Sequence, residues 1–245
     1  MSRRLVAIHQ PNFFPWLGYF DKIARADVFV VLDHVQFPKT RDGNWTNRVK
    51  MDVYGTAAWV TVPLARGYEG FRRIDEMRID PASPWRRKLL RALQDSYGRA
   101  AAFRDVFPAI TELVNHPAEL VADYNLNAIT GICTELDLPT THLVRSSTLD
   151  VDGGKTDLLV NVVRRVGGTS YLAGGGASGY QDDAQLAAAG IEVQYQRFAH
   201  PEYPQRAGTT FVAGLSILDA LFHCGFRATA DLLGVARRPD TGAVS

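Results

Sequence analysis

The residues best suited to chemistry near the amino terminus are His9 and Gln10, which follow a short apolar run and precede Pro11. Imidazole titrates near neutral pH, so His9 can accept the proton that an amine loses when it attacks an acyl group. The alternative is that His9 only hydrogen-bonds a backbone carbonyl and fixes the turn. We assign Gln10 to hydrogen-bonding of the substrate, and Tyr19, from the aromatic stretch that follows, to the same site.

A second set of candidate residues lies in residues 36–48, which read QFPKTRDGNWTNR. Arginine forks bind oxyanions through two hydrogen bonds, and an indole offers a flat surface for a ring or a sugar face. We therefore predict that this segment binds a phosphate or carboxylate beside such a face. The alternative is a solvated loop that leads into a strand. The residues predicted to bind substrate are Gln36, Lys39, Trp45, Asn47 and Arg48.

Residues 200–205, HPEYPQ, form a third candidate segment, which is stiffened by two prolines. A rigid loop holds polar groups at fixed distances, as a preorganised site requires, although rigid loops without a function are also common. We assign substrate contacts to His200, Tyr203 and Gln205. The carboxylate of Glu202 is expected to face water.

Ser216, Asp219 and His223 follow one another at spacings of three and four residues, which places them on one stripe of a helix. Side chains on one helix face run side by side rather than converging, so we do not expect a catalytic triad. Ser216 fits an amino-terminal helix cap. Asp219 is predicted to act in catalysis by orienting His9 or another histidine from across the sheet.

Two cysteines and six scattered histidines give no pattern for a disulfide framework or a zinc site. Cys133 lies on an apolar helical stripe and is interpreted as a buried small hydrophobe. Cys224 follows His223, but neighbouring helical residues point in different directions, so this histidine is poorly placed to activate the thiol. Gly174–Gly176 match neither phosphate-loop pattern in full, so we predict a tight turn whose amides could still meet an anion. No metal and no cofactor are predicted.

The elements that must position these residues alternate between strand and helix. A strand at Leu5–Ile8, a helix at Trp16–Ala24 and a strand at Val28–Leu32 predict a βαβ unit. Three apolar or alternating stretches between glycines then predict a small antiparallel insert, at Arg48–Val53, Ala58–Pro63 and Arg73–Ile79.

The second half of the chain predicts three consecutive helices, the third opening at Pro117. Short strands and helices follow: strands at His142–Val144, Thr169–Leu172 and Ile191–Gln196, a helix capped by Thr156, a helix at Tyr180–Ala189 and a helix at Leu215–Phe222. Together these patterns predict an α/β fold. Its sheet is mixed and parallel at the centre, with helices on both faces and the antiparallel insert beside it.

Composition bounds the class of protein. With 46% hydrophobic and 22% charged residues in 245, the chain is expected to be one globular domain, 1–245, whose residues 238–245 form a frayed tail. The 27 basic and 26 acidic residues nearly cancel, which argues against a duplex nucleic-acid partner. No apolar run approaches the length of a membrane span, and we expect a cytoplasmic protein.

Five tracts carry a family resemblance: HQPNFFPWLGYFDKI, NWTNRVK, WVTVP, YQRFAHPEYPQ and LSILDALFHCG. In that order, over roughly residues 5–235, they resemble the WbqC-like family, whose members occur in bacterial O-antigen and related sugar-modification gene sets. The resemblance implies transfer of an aminoacyl group, glycyl in the usual suggestion, onto an amino sugar. Asn47 and Arg48 match the family tract residue by residue. Where this chain has His223 the family often has asparagine, so His223 is not assigned to shared catalysis.

Three functions remain open from the sequence. In the first, the HQP turn, the NWTNR segment and the HPEYPQ loop form one pocket, and the chain is a transferase that acts on a small-molecule amine or amino sugar. No nucleotide-activating loop is visible, so its donor arrives already activated, on a carrier or as a transfer-RNA ester. The second is a non-catalytic protein that binds a small molecule or sugar nucleotide. The third is a hydrolase with Cys224 or Ser216 as nucleophile.

Overall fold

The computed structural model describes residues 3–38, 44–65, 70–140, 142–175, 181–206, 208 and 210–234. The predicted frayed tail, residues 238–245, lies outside these ranges. The strands are β1 Leu5–His9, β2 Val28–Val31, β3 Arg48–Val53, β4 Thr56–Thr61, β5 Leu143–Arg145, β6 Ser170–Ala173 and β7 Glu192–Tyr195. The helices are α1 Leu17–Arg25, α2 Trp85–Tyr97, α3 Phe103–Asn115, α4 Val121–Glu135, α5 Lys155–Arg165, α6 Asp183–Ala188 and α7 Ile217–Leu232.

Five strands form a parallel sheet in the order β5-β2-β1-β6-β7. β1 is central, and Val6 pairs with Val28 on one side and with Tyr171 on the other. Strands such as VAI in β1 and VFVV in β2 are apolar without a break because a parallel sheet is covered on both faces. The predicted α/β class is confirmed, with a sheet that is parallel at its centre, helices on both faces and a small antiparallel insert. The pairings of the five strands are all parallel, and the antiparallel pairing lies in the separate β3-β4 hairpin.

Two hydrophobic clusters cover the two faces of this sheet. Val6 and Ile8 belong to the cluster that contains Leu158 and Leu159 of α5, whereas Ala7 belongs to the cluster formed with α1, α4 and α7. Successive strand residues point to opposite faces, which accounts for this division. Residues at the end of β1 are therefore directed to different sides of the sheet.

The insert after β2 begins with the antiparallel hairpin of β3 and β4, closed by a two-residue turn at Tyr54 and Gly55, both with positive φ. The prediction of a third strand at Arg73–Ile79 is wrong. Residues Ile74–Glu76 form a short 3-10 helix, which the Glu76 carboxylate closes by accepting a hydrogen bond from the Arg73 N–H at 3.0 Å. Helices α2 to α4 follow and complete the insert.

Several helix boundaries also differ from the prediction. α4 begins at Val121, not at Pro117, and α5 is capped by Gly154, while the Thr156 hydroxyl accepts a hydrogen bond from the Asp182 N–H at 2.9 Å. The helical residues of α7 extend past the predicted end to Leu232, with a kink at Gly225, whose φ of 81° and ψ of 169° are not helical. The predicted cap of α7 is confirmed, because the Ser216 hydroxyl accepts a hydrogen bond from the Leu218 N–H.

The sheet changes direction between β1 and β6. The chain leaves β1 through α1 and enters β2 on one side, and leaves β6 through α6 and enters β7 on the other. α1 and α6 contribute to different clusters, so they cover opposite faces. In open α/β sheets this arrangement leaves a crevice at the carboxyl ends of the two strands, where ligands commonly bind. Here those ends are His9 and Ala173.

Candidate functional site

A cavity of about 390 Å³ lies at the carboxyl ends of β1 and β2, on the face covered by α5. It brings together two residues that the sequence predicted, Gln10 and Gln36, and adds the ammonium-bearing side chain of Lys155. Leu32, Val35, Phe37, Pro38, Leu158 and Leu159 form the rest of its wall. A mainly apolar wall with a few polar groups is typical of small-molecule sites.

His9 is directed toward α1, on the opposite face from Gln10. Its partly buried ring meets the Tyr19 ring edge-on, with 4.8 Å between centroids. Its Nδ1 lies 3.1 Å from the Gln10 carbonyl oxygen, which also accepts a hydrogen bond from the Tyr19 hydroxyl at 3.2 Å. A carbonyl only accepts, so Nδ1 carries the hydrogen and Nε2 keeps its lone pair.

Charge is disfavoured on this imidazole. Burial, together with the positive charge of Lys22, lowers the pKa of His9 to about 3. His9 is therefore neutral at physiological pH. The sequence prediction did not include Lys22, whose Nζ donates to the Ile8 carbonyl at 3.2 Å and whose pKa is lowered to about 8 by burial.

The NWTNR segment is tied to its own hairpin. The Arg48 guanidinium lies 4.0 Å above the Trp59 ring, and the Trp45 ring meets Trp59 edge-on at 4.9 Å. Asn47 donates to the Val62 carbonyl at 2.8 Å and accepts from the Asn44 amide at 3.1 Å. These contacts hold the loop against β3 and β4. Lys39, also predicted to bind substrate, lies outside the described residues.

Asn125 joins this segment to the HQP turn. Its fully buried amide group donates to the carbonyl oxygens of Pro11 at 2.9 Å and of Thr46 at 2.6 Å. The Phe13 N–H also donates to the Trp45 carbonyl at 2.9 Å. The first two predicted segments are therefore neighbours. The sequence signal that could have found Asn125 is an asparagine beside Tyr124 on the buried face of α4.

The HPEYPQ loop meets α7 instead. The Tyr203 hydroxyl and the Gln205 amide each donate to Asp219 Oδ2 at 2.9 Å, and burial raises the pKa of this carboxyl group. His200 lies against Trp16 with 5.0 Å between ring centroids. The described contacts of Asp219 do not include His9. Within the described residues, the predicted groups are thus divided among the α1 side, the cavity, the β3-β4 hairpin and the α7 side, rather than gathered in one pocket.

A fully buried carboxylate at the ends of β2 and β5 was missed by the sequence prediction. Asp33 accepts hydrogen bonds from Arg145 Nε at 2.6 Å, from the Ser147 N–H and hydroxyl, both at 2.9 Å, and from the Ser146 hydroxyl at 3.1 Å. Burial alone would raise the pKa of Asp33, but the hydrogen bonds from Arg145 and Ser147 bring it below its ordinary value. The second nitrogen of Arg145 donates to Asp123 at 2.6 Å.

Among the described residues, no three or more histidine, cysteine, aspartate or glutamate side chains are grouped so as to hold a metal ion. The described helices also include none with the length and apolar character needed to cross a membrane.

Comparison with known proteins gives two matches. The sequence profile of the WbqC-like protein family matches residues 10–231. An uncharacterized protein of Mycobacterium tuberculosis (strain ATCC 25618 / H37Rv), Rv1507c, is 32% identical over 225 residues, which are 91% of this chain and 95% of the relative. No solved structure gives a significant match.

Proposed function

The chain belongs to the WbqC-like protein family, and we propose that it transfers an aminoacyl group from a preactivated donor to the amine of a sugar or another small molecule. The observation that carries the proposal is the cavity of about 390 Å³ at the carboxyl ends of β1 and β2. Its volume suits a small molecule, and Gln10 in its wall is the residue directly after His9. Because the His9 imidazole lies on the other face of the sheet, the amine of a substrate held in the cavity reaches it around the carboxyl end of β1.

The wall of the cavity matches a polar, partly anionic substrate. The amide groups of Gln10 and Gln36 can each donate and accept, as recognition of sugar hydroxyls requires. The Lys155 ammonium supplies positive charge for a phosphate or carboxylate of the same substrate. The leucines of α5 provide an apolar surface for the remaining face.

In the proposed reaction the substrate amine attacks the acyl carbonyl of the donor. A carbon–nitrogen bond forms, and the bond from the acyl carbon to the oxygen or sulfur of the donor breaks. His9 Nε2, which keeps its lone pair, accepts the proton that the nitrogen loses and returns it to the leaving oxygen or sulfur. The chain itself does not activate the amino acid, so the donor is a carrier thioester or a transfer-RNA ester.

The low pKa of His9 sets a condition for this step. An imidazole with a pKa of about 3 is a weak base, so proton transfer requires a negative charge close to the ring. The oxyanion of the tetrahedral intermediate, or an anionic group of the bound substrate, supplies that charge. Substrate binding is therefore expected to raise the pKa of His9.

A second candidate function is non-catalytic binding of a sugar nucleotide or similar small molecule. The low pKa of His9 favours this function, because a neutral and weakly basic imidazole is well suited to accept a fixed hydrogen bond. We do not retain a hydrolase with a serine or cysteine nucleophile. The Ser216 hydroxyl is buried and donates to the Phe14 carbonyl at 2.7 Å, and burial raises the pKa of the Cys224 thiol.

The test presents the purified protein with amino sugars and with glycyl-tRNA or a glycyl thioester of a carrier protein. Mass spectrometry should detect gain of the acyl group by the sugar. His9→Gln should lower kcat by about a hundredfold or more while the sugar still binds. Gln36→Ala should mainly raise KM. His116→Gln, in the loop between α3 and α4, serves as the matched control and should leave both constants unchanged.

The outcomes separate the two candidates. Unchanged turnover in the His9→Gln variant would remove His9 as the base. Binding of the amino sugar without acyl gain from either donor would support the binding protein and reject the transferase.

A further inference from the structure

Lys22 is buried without a partner of opposite charge in the described part of the chain. The residue is 2% exposed, and its one described hydrogen bond runs from Nζ to the Ile8 carbonyl at 3.2 Å. The ion pairs found among the described residues do not include it. An ammonium has three N–H donors, so two of them lack a described acceptor.

The position of this ammonium coincides with the point where the sheet changes direction. Ile8 belongs to β1, and a Cβ added to Gly174, directly after β6, would lie 3.8 Å from Lys22 Nζ. Gly174 is partly exposed and Gly175 is exposed. The cation therefore lies at the carboxyl ends of β1 and β6, next to a partly exposed glycine.

Among the residues that the structure describes, the groups around this cation provide no negative charge. The neighbouring imidazole of His9 is neutral, and its pKa is lowered in part by the Lys22 charge itself. Burial of an uncompensated ammonium is costly, and proteins normally offset that cost with a carboxylate or with a bound anion. A glycine beside the ammonium leaves the space that such an anion needs.

We propose that Lys22 and Gly174 form an oxyanion-binding site, in which the ammonium binds a phosphate or carboxylate group at the crevice, distinct from the group that Lys155 binds in the cavity. The two free N–H donors contact the oxygens of the anion, and the missing side chain of Gly174 leaves room for it. The anion also brings negative charge close to His9. The inference deepens the proposed function, because this charge would raise the basicity of the imidazole, but the site itself needs only the anion.

The test measures binding of inorganic phosphate, pyrophosphate and acetate to the full chain, by calorimetry and by the shift in thermal unfolding temperature. Pyrophosphate and phosphate represent a sugar nucleotide, and acetate represents a carboxylate group. Lys22→Met removes the charge at similar side-chain volume and should weaken binding of the preferred anion by about ten- to a hundredfold. Exposed Lys88 on α2 provides the matched control, Lys88→Met, which should bind as the wild type does.

A second pair of variants tests the site without changing the lysine. Gly174→Ala adds a methyl group at ordinary contact distance from Nζ, where the anion is proposed to lie, and the backbone there accepts a side chain. This variant should weaken binding of the anion to a similar extent. At Gly175 an added Cβ meets no described atom within 4 Å, so Gly175→Ala should bind normally.

Each result decides the proposal. Saturable binding that both Lys22→Met and Gly174→Ala weaken, and that the two controls preserve, supports the site. It is overturned if none of the three anions binds the wild type, or if the folded Lys22→Met variant binds as tightly. The binding assay contains no acyl donor, so its result does not depend on the transferase reaction. If the protein binds the anion but shows no transferase activity in the separate assay with donors, the proposed reaction is rejected and the anion site is retained.

Discussion

Lys22 and Asp33 are two buried charges at the same edge of the sheet, and the protein treats them in opposite ways. Asp33 is 0% exposed and accepts hydrogen bonds from three residues, one of them the oppositely charged Arg145. Lys22 is 2% exposed and has one described contact, with a neutral carbonyl. The pKa values follow this contrast, since that of Asp33 is lowered toward the charged state and that of Lys22 is lowered toward the neutral one.

Under the proposal for Lys22, the difference separates a charge that serves the fold from a charge that serves a ligand. Asp33 joins β2 to β5 and to the serines that follow β5. The part of the chain that the structure describes does not compensate Lys22 in the same way. A charge that the fold leaves uncompensated at a ligand-binding edge is a candidate for recognition, whereas a fully paired one is structural.

The largest expected effect comes from breaking the Asp33 pair. Arg145→Met leaves the carboxylate buried without its cation and should lower the free energy of unfolding by about 3 kcal/mol, as measured by urea denaturation. Asp123→Asn removes the half-exposed partner of the same arginine and should cost less than about 1 kcal/mol. Equal losses in the two variants would contradict the structural role given to Asp33.

Removing the Lys22 charge should have a different outcome. At neutral pH, Lys22→Met should change the free energy of unfolding by no more than about 1 kcal/mol in either direction, because it removes an uncompensated charge. The pKa of Lys22 is about 8 in the folded chain and 10.5 ordinarily, so at alkaline pH the unfolded chain retains a proton that the folded chain has released.

This difference has a measurable sign. As the pH rises from about 8 to about 10, the wild type should gain about 2 kcal/mol of stability relative to Lys22→Met. Urea titrations of both proteins across this range would test it. A constant difference between them would mean that the lysine is already compensated in the folded chain.

His9 should show the acidic counterpart of this effect. Its pKa is about 3 when folded and 6.5 ordinarily, so below neutral pH the unfolded chain takes up a proton that the folded chain does not. Between about pH 7 and about pH 5 the wild type should lose about 1 to 2 kcal/mol more than His9→Gln. Gln10→Ala, at the adjacent position, should keep the wild-type slope. If the His9→Gln slope matched the wild type, the imidazole would not be desolvated.

A small effect is also expected from Ser147→Ala. The variant removes one hydroxyl hydrogen bond to Asp33 while the Ser147 N–H and Arg145 still donate to the carboxylate. The free energy of unfolding should fall by about 1 kcal/mol in urea denaturation. A loss as large as that of Arg145→Met would show that the network around Asp33 depends on every donor rather than mainly on the cation.

Individual strands and turns of the fold could be predicted because the sequence patterns that indicate them lie within the same short segment. The apolar runs of β1 and β2 and the Tyr54-Gly55 turn report on neighbouring residues alone. The segment Arg73–Ile79 was predicted incorrectly because a residue-by-residue alternation does not reveal that Glu76 closes a 3-10 turn on Arg73.

The candidate site was less accessible because its pairings join distant parts of the chain. Strand alternation by itself implies that His9 and Gln10 point to opposite faces, and Lys22 lies three residues after buried Tyr19 on the apolar stripe of α1. Those two signals were present in the sequence. The absence of a described carboxylate beside Lys22, and the pairing of Asp33 with Arg145 112 residues away, follow only from the tertiary structure.

The division of His9 and Gln10 between two faces bears on how a two-substrate reaction would proceed. Ligands that approach the end of β1 from opposite sides do not share an entrance, so neither has to wait for the other. Under the proposed function, initial rates should then follow a random sequential pattern, with intersecting double-reciprocal lines. The parallel lines of a ping-pong scheme would require a covalent acyl-enzyme, for which neither Ser216 nor Cys224 is prepared.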